Sequence, residues 1–100
     1  MLEISGKNAF ASEKIPIGPG VYIYRDEAKE IIYIGKAKSL RARVRSYFSN
    51  SDKPIKTQLL VSKIATIDWI VVDSEVEALL LENKLVKQHL PKYNISLKDS

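Results

Sequence analysis

The chain has 100 residues, of which 45% are hydrophobic and 28% charged, a balance that fits one globular domain and excludes an intrinsically disordered chain. It has no cysteine and one histidine. This excludes a disulfide scaffold, a thiol nucleophile, and metal sites built from cysteines or from a histidine cluster.

The net charge of +4 is concentrated in one part of the chain, because residues 31–63 carry eight basic residues and one acidic residue. Such a stretch is typical of a protein that binds a polyphosphate partner, although a solvated basic helix face gives the same pattern. No apolar run approaches the length of a membrane span, and the first residues lack the apolar core of a secretory signal. We therefore expect a cytoplasmic protein with no membrane partner.

Hydrophobic periodicity and turn signals predict the element order β-β-α-α-β-α after a segment, residues 1–14, that is irregular or briefly helical. The predicted strands cover residues 21–25, 31–35 and 68–73. The predicted helices cover about residues 38–48, 55–67 and 75–90, the last with Ser74 as N-cap and an extended tail after it. The expected fold is a small α/β (α+β) domain over residues 1–100, with a mainly antiparallel three-stranded sheet flanked by helices.

The first two strands form a predicted hairpin with different side chains on its two faces, because successive strand residues alternate. Tyr22, Tyr24 and Tyr33 fall on one face and the aliphatic residues on the other. A two-residue turn at Glu27-Ala28 would set Tyr22 opposite Tyr33, with Gly35 leaving open backbone beside them. Cross-strand tyrosines are also ordinary sheet stabilisers, so this pattern alone does not require a function.

Two charged residues stand at the edges of predicted helical faces. Arg43 lies at one edge of the buried stripe of the basic helix, where it either forms a buried pair or binds an oxyanion through its planar guanidinium. Glu82 falls among apolar residues of the last helix, where an unpartnered carboxylate is costly. Its partner is either Arg43 or a divalent cation, since Mg²⁺ and Mn²⁺ prefer carboxylate oxygen.

An ordered set of residues resembles the signature of the GIY-YIG nuclease family. Its two halves are Gly20-Val21-Tyr22, with valine in place of the isoleucine of the family name, and Tyr33-Ile34-Gly35, with ten residues between the two tyrosines. The resemblance continues through Lys36, Arg43, Glu82 and Asn94 and covers about residues 15–97. The strings YIGKAKSLRARVRSYF and LPKYN are most similar to the N-terminal nuclease domains of the UvrC subfamily. We therefore expect a single nuclease domain that is an N-terminal piece of a longer protein.

The resemblance implies a metal-dependent DNA endonuclease that hydrolyses a phosphodiester bond to a 5′-phosphate and a 3′-hydroxyl. It implies the incision on the 3′ side of a lesion in nucleotide excision repair. Tyr33 would act as general base or position the attacking water, and Tyr22 would orient the nucleophile. Lys36 and Arg43 would hold the scissile phosphate, and Glu82 would ligate one Mg²⁺ or Mn²⁺ ion.

The resemblance also implies that Tyr47 and Asn94 shape the site and that Gly35 lets the DNA backbone come close. The outward cations Lys38, Arg41 and Arg45 are expected to bind DNA. The implied partners are damaged double-stranded DNA and, through the full-length protein, the complex of UvrB with DNA.

Two alternatives stay open. A non-catalytic nucleic-acid-binding module that has kept the fold accounts equally well for the basic residues 31–63, and it predicts salt-dependent binding without cleavage under any metal. A stand-alone GIY-YIG nuclease of another pathway would carry the same two tripeptides.

Overall fold

A computed structural model of the chain describes residues 1–4 and 11–97, with side chains up to residue 95. These residues form a four-stranded antiparallel sheet in the order β1-β4-β2-β3, with helices on both faces. The strands are β1 (Leu2–Glu3), β2 (Gly20–Arg25), β3 (Ile31–Ala37) and β4 (Thr66–Val71). The helices are α1 (Leu40–Tyr47), α2 (Ile55–Lys63), α3 (Glu75–His89) and α4 (Lys92–Leu97), and a short 3-10 turn covers Ser12–Lys14. None of these helices is long and apolar enough to cross a membrane.

The predicted class, an antiparallel sheet flanked by helices, is confirmed, but both ends of the chain differ from the prediction. Leu2–Glu3 pairs with β4, so the sheet has four strands rather than three. This pairing buries Leu2 and covers an edge of β4 that would otherwise be open. Residues 5–10 of the segment predicted as irregular lie outside the described residues.

The tail was predicted to be extended, and this prediction is wrong, because α4 covers Lys92–Leu97. Pro91 is compatible with the start of a helix, where its missing N–H is not needed. Tyr93 and Asn94 are buried, so packing against the sheet favours the helix over an extended tail. Residues 98–100 lie outside the described residues.

The two faces of the sheet have different cores. Tyr22 and Tyr24 of β2 belong to a core cluster that includes Leu40 and Val44 of α1 and Leu60 of α2. The opposite face carries Val21, Ile23 and Ile34, which pack against Leu81, Leu85 and Val86 of α3. The sheet therefore holds α1 on one side and α3 on the other.

The register of the β2–β3 hairpin differs from the prediction by two residues. Tyr24 lies opposite Tyr33, and Tyr22 lies opposite Gly35. The predicted pairing of Tyr22 with Tyr33 is therefore wrong, although a two-residue shift leaves all three tyrosines on the predicted face.

The longer connection between the two strands explains this shift. The Asp26 carboxylate accepts hydrogen bonds from the backbone N–H groups of Ala28 and Glu30, and Lys29 adopts a left-handed φ of 67°. The backbone N–H of Asp26 also bonds the carbonyl of Glu30. The turn thus spans residues 26–30 instead of two residues. A bulge between Tyr24 and Arg25, just before the turn, shifts the strand pairing.

Helix α3 begins and ends with well-formed caps. The Ser74 hydroxyl accepts a hydrogen bond from the Glu77 N–H, and the Glu77 carboxylate accepts one from the Asp73 N–H. The predicted N-cap is confirmed. Leu90 ends the helix in the left-handed conformation and Pro91 follows it. These caps fix the part of the helix that carries Glu82.

Candidate active site beside the exposed edge of the sheet

Four tyrosines form the centre of the candidate site. The rings of Tyr22, Tyr24, Tyr33 and Tyr47 lie with neighbouring centroids 5.1–6.3 Å apart. The hydroxyls of Tyr22 and Tyr47 share a hydrogen bond of 2.9 Å. Burial, and next the neighbouring tyrosines, raise the pKa of Tyr22 and of Tyr24. Both phenols are therefore neutral at physiological pH.

Arg43 borders this cluster from α1. Its guanidinium carbon lies 5.5 Å from the centroid of the Tyr47 ring, a cation–π contact. The Tyr22 hydroxyl lies beside the same guanidinium, and this interaction raises the pKa of Arg43. Within the described residues no ion pair joins Arg43 to Glu82. The first of the two partners considered for Glu82 is thus excluded in this structure.

The space above Gly35 is filled by the ring of Tyr22, so the expectation of open backbone at this position is wrong. A Cβ atom on Gly35 would collide with the ring and hydroxyl of Tyr22. Glycine is needed here because the cross-strand register puts Tyr22 directly opposite. The second tripeptide of the motif therefore makes room for the tyrosine of the first.

Glu82 reaches the cluster from α3, on the other side of the sheet. Burial, then Tyr47, and then the charge of Glu82 raise the pKa of Tyr33, whereas Arg43 lowers it. The Glu82 carboxylate is half-buried and makes no hydrogen bond or ion pair among the residues that the structure describes. Those residues contain no group of three or more acidic or histidine side chains that would hold a metal.

Lys36 and Lys38 extend the site outward along β3 and the loop after it. Both are exposed, and with Arg43 and Glu75 they line a cleft of about 280 Å³. Glu75 was not predicted. Its spacing of seven residues from Glu82 places both carboxylates near one face of the helix, which is a signal that the sequence already contained.

Asn94 fixes the strand that carries the second tripeptide. Its side-chain oxygen accepts from the Ile34 N–H and its side-chain nitrogen donates to the Ile34 carbonyl, both at 2.8 Å. The side chain is 2% exposed, so neither bond competes with water. Because Ile34 stands between Tyr33 and Gly35, Asn94 holds the backbone on which both functional positions depend.

Arg41 and Arg45 are not part of this cluster. The guanidinium of Arg41 donates to the carbonyls of Ile15 and Glu13, at 2.8 and 3.0 Å, and that of Arg45 donates to the Ser12 hydroxyl at 2.7 Å. They lie on the flank of α1 away from Arg43 and hold the segment before β2. Two donors of Arg41 and one donor of Arg45 thus serve protein acceptors.

The sequence of the chain is similar to a known family of nuclease domains. The family model for the UvrC-like GIY-YIG domain matches residues 18–95. UvrABC system protein C of Methanococcus maripaludis is 55% identical over 86 residues, and that of Moorella thermoacetica is 56% identical over 86 residues. Each match covers 86% of this chain but only 16% and 14% of the relative, so the chain spans about one seventh of their length.

Solved structures agree with this assignment. The crystal structure of the GIY-YIG N-terminal endonuclease domain of UvrC from Thermotoga maritima, bound to magnesium as its catalytic divalent cation, is 40% identical with a TM-score of 0.71. The match covers 79% of this chain and 85% of that one. A mutant of that domain with alanine in place of an asparagine, also bound to the cation, matches with a TM-score of 0.69. The chain belongs to the family of UvrC-like GIY-YIG endonuclease domains.

Proposed function

We propose that this chain is the metal-dependent DNA endonuclease domain of a UvrC-type repair nuclease and makes the incision on the 3′ side of a lesion. One observation carries the proposal: the half-buried Glu82 carboxylate forms no hydrogen bond or ion pair within the described residues, while its charge raises the pKa of Tyr33. The proposed substrate is damaged double-stranded DNA in the cytoplasm. The proposed partner is UvrB on that DNA, engaged through the longer protein.

The Glu82 site suits a divalent cation of the Mg²⁺ or Mn²⁺ class. These ions prefer oxygen ligands, keep several waters and are bound through one or two carboxylates together with substrate phosphate. The Glu82 carboxylate, with Glu75 near the same face of α3 and in the lining of the basic cleft, matches that requirement. When bound, the cation would supply positive charge at the scissile phosphate and beside the Tyr33 hydroxyl.

Tyr33 is the residue that handles the attacking water in this proposal. Its hydroxyl would orient the water, and its phenolate form would accept the proton of that water as the oxygen attacks phosphorus. Burial and the neighbouring groups raise the pKa of Tyr33, so the phenolate is scarce unless cations lie close to it. Arg43 is one such cation, because its charge lowers the pKa of Tyr33.

Arg43 and Lys36 stabilise the charge that develops on the phosphoryl oxygens as the bond to the 3′-oxygen breaks. Both line the same cleft, and so does Lys38. The 3′-oxygen leaves with a proton from solvent, and the phosphate stays on the 5′ end of the other fragment. Lys38 would bind the backbone of the DNA beside the scissile phosphate. Arg41 and Arg45, which lie away from the cleft and hold the segment before β2, would contribute to the positive field around the DNA.

Tyr22 and Tyr47 are positioning residues for Arg43 and the attacking water in this proposal. Their shared hydrogen bond leaves one of the two hydroxyl protons available to a ligand. Tyr22 is 1% exposed, so its hydroxyl acts on neighbours rather than on bulk solvent. We infer that it orients Arg43 and the attacking water, with Tyr47 and Asn94 fixing the surrounding structure.

Replacing Glu82 with glutamine tests the proposal. We expect nicking of an end-labelled, lesion-containing duplex with Mg²⁺ or Mn²⁺ to fall at least about 100-fold, because the neutral amide no longer holds the cation. The assay uses this chain and the longest available protein, each with and without UvrB. The thermal unfolding midpoint should stay close to that of the parent.

Glu27→Gln is the matched control, since Glu27 is an exposed carboxylate in the hairpin turn. It should nick at the parent rate. Nicking by Glu82→Gln at the parent rate would refute the metal role. Binding of the duplex by the longer protein without any nick would instead favour the non-catalytic binding module.

A further inference from the structure

A second cavity lies on the other side of Arg43, between α1, the loop after it and α2. It has a volume of about 190 Å³. Its lining residues are Arg43, Ser46, Tyr47, Ser51, Lys53 and Thr57. They provide two cations, three aliphatic hydroxyls and a phenol, and among the described residues no carboxylate lines it. Every polar side chain of this lining can donate a hydrogen bond, which suits an anion.

Lys53 is held in place at this cavity by the loop itself. Its ammonium group donates to the backbone carbonyls of Ser49 and Ser51, at 2.7 and 3.2 Å. These neutral acceptors orient the ammonium without cancelling its charge, and within the described part of the chain Lys53 forms no ion pair. Because the fold already restricts this side chain, binding of an anion costs it less conformational entropy.

The cavity shares one residue with the proposed active site. Arg43 lines both this cavity and the cleft that contains Lys36 and Lys38. Tyr47 also lines the cavity, and its hydroxyl shares a hydrogen bond with that of Tyr22. Two basic concave surfaces thus meet at one guanidinium, an arrangement that suits two neighbouring phosphates of one strand.

We propose that this cavity binds a non-scissile backbone phosphate of the strand that is cut, next to the scissile phosphate. The inference rests on the proposed function, because it takes the occupant of the Lys36–Arg43 cleft to be a DNA phosphate. Lys53 and Arg43 supply the charge, and the hydroxyls of Ser51 and Thr57 supply donors to the phosphate oxygens, whereas the Ser46 hydroxyl donates to the Arg43 carbonyl. Such a contact positions the strand without reading its sequence.

Lys53→Gln tests the contact through the salt dependence of binding. We expect this variant to bind a lesion-containing duplex about five- to tenfold more weakly at low salt in EDTA. The slope of log affinity against log salt should fall in magnitude by about one, which is the signature of one lost phosphate contact. Lys63→Gln is the matched control: Lys63 is an exposed lysine at the end of α2, the helix that follows Lys53, and it lines neither this cavity nor the Lys36–Arg43 cleft. It should bind like the parent.

The phosphate itself can be located with duplexes that carry one neutral methylphosphonate linkage at successive positions near the cut. One position should weaken binding by the parent and cause no further loss in Lys53→Gln. Losses that add at every position would overturn the assignment of the cavity to a phosphate.

A readout that does not depend on tight binding comes from the backbone amide resonances of the ¹⁵N-labelled chain. Titration with a single-stranded hexanucleotide should move the signals of Ser51, Lys53 and Thr57 together with that of Arg43. Movement at Arg43 alone, or an unchanged salt slope in Lys53→Gln, would refute the inference.

These outcomes are separable from failure of the proposed function. If the parent chain and the longer protein never nick DNA while Lys53→Gln loses one unit of slope, the phosphate site stands and the nuclease assignment fails. If Glu82-dependent nicking is found and the slope is unchanged, the nuclease assignment stands and the phosphate site fails.

Discussion

The contact between Gly35 and Tyr22 shows how one missing side chain sets the position of a functional group. Gly35 does not have a positive φ, so the backbone would tolerate alanine. What excludes alanine is the Tyr22 ring, which occupies the place of its Cβ. Any larger residue must displace the hydroxyl that lies between Tyr47 and Arg43.

We therefore expect Gly35→Ala to lower the free energy of unfolding by about 1–3 kcal/mol through overpacking and to slow nicking at least about tenfold. Urea unfolding and single-turnover nicking with Mn²⁺ measure the two effects. Gly18→Ala is the control, because the nearest atom to its Cβ would be Cγ1 of Val71 at an ordinary 3.8 Å. Equal effects of the two substitutions would show that crowding at Tyr22 is not the cause.

Sequence reasoning identified the residues that the structure brings together, but it did not indicate the protein partners of the two outer arginines. Arg43, Glu82 and the tyrosines are identified by spacing along the chain and by faces of single elements. The partners of Arg41 and Arg45 depend instead on where residues 12–15 return to α1, which helical periodicity does not specify. Lys53 was missed because it lies in a loop, where side-chain direction follows from the local fold.

Helix α3 carries Glu82, and its N-terminal cap stabilises the first turn of the helix. Ser74→Ala removes the hydroxyl that accepts from the Glu77 N–H. We expect a loss of about 1 kcal/mol in the free energy of unfolding. The nicking rate at saturating DNA should not change, because Glu82 lies about two turns further along the helix.

Urea unfolding measures this prediction against Ser62→Ala, which removes an exposed hydroxyl that donates to the Leu59 carbonyl in α2. That control should cost little, since a serine inside a helix contributes less than a cap. If Ser74→Ala lost no more stability than Ser62→Ala, the cap would have no measurable role.

The strands and helices were predicted better than the turn and the terminal segment that connect to them. Hydrophobic periodicity located β2, β3, α1 and α3, because each of these elements has apolar residues at the spacing of a strand or a helix. The hairpin register followed instead from hydrogen bonds of Asp26 in a five-residue turn, and α4 followed from packing of Tyr93 and Asn94. The exposed apolar residues of α3, Val76, Leu79 and Leu80, also departed from a helix expected to be buried almost all round.

At the scale of the whole molecule, the buried tyrosines make the free energy of unfolding fall at alkaline pH. Burial raises the pKa of Tyr22 and Tyr24, so the folded protein keeps protons that the unfolded chain releases above about pH 10. The unfolded state then binds fewer protons, and the free energy of unfolding falls as pH rises. Below that pH this contribution is fully present.

We expect unfolding free energies to be similar at pH 8 and 9 and to decline above pH 10, by up to about 1.4 kcal/mol per pH unit for each of these tyrosines. Tyr24→Phe should decline less steeply. It should also be at least as stable as the parent at pH 8, because the buried Tyr24 hydroxyl has no hydrogen-bond partner in the described structure. Urea unfolding across this range measures both, and an unchanged alkaline slope in Tyr24→Phe would contradict the prediction.

The two hydrogen bonds of Asn94 affect whether another polypeptide can pair with the edge of the sheet. An open edge strand is a template on which another chain can add a strand, and such additions lead to aggregation. At Ile34, in the middle of β3, the Asn94 amide takes the place that a neighbouring strand would occupy. Strand addition is thereby blocked at Ile34, beside the proposed active site, where under the proposed function DNA rather than another polypeptide approaches.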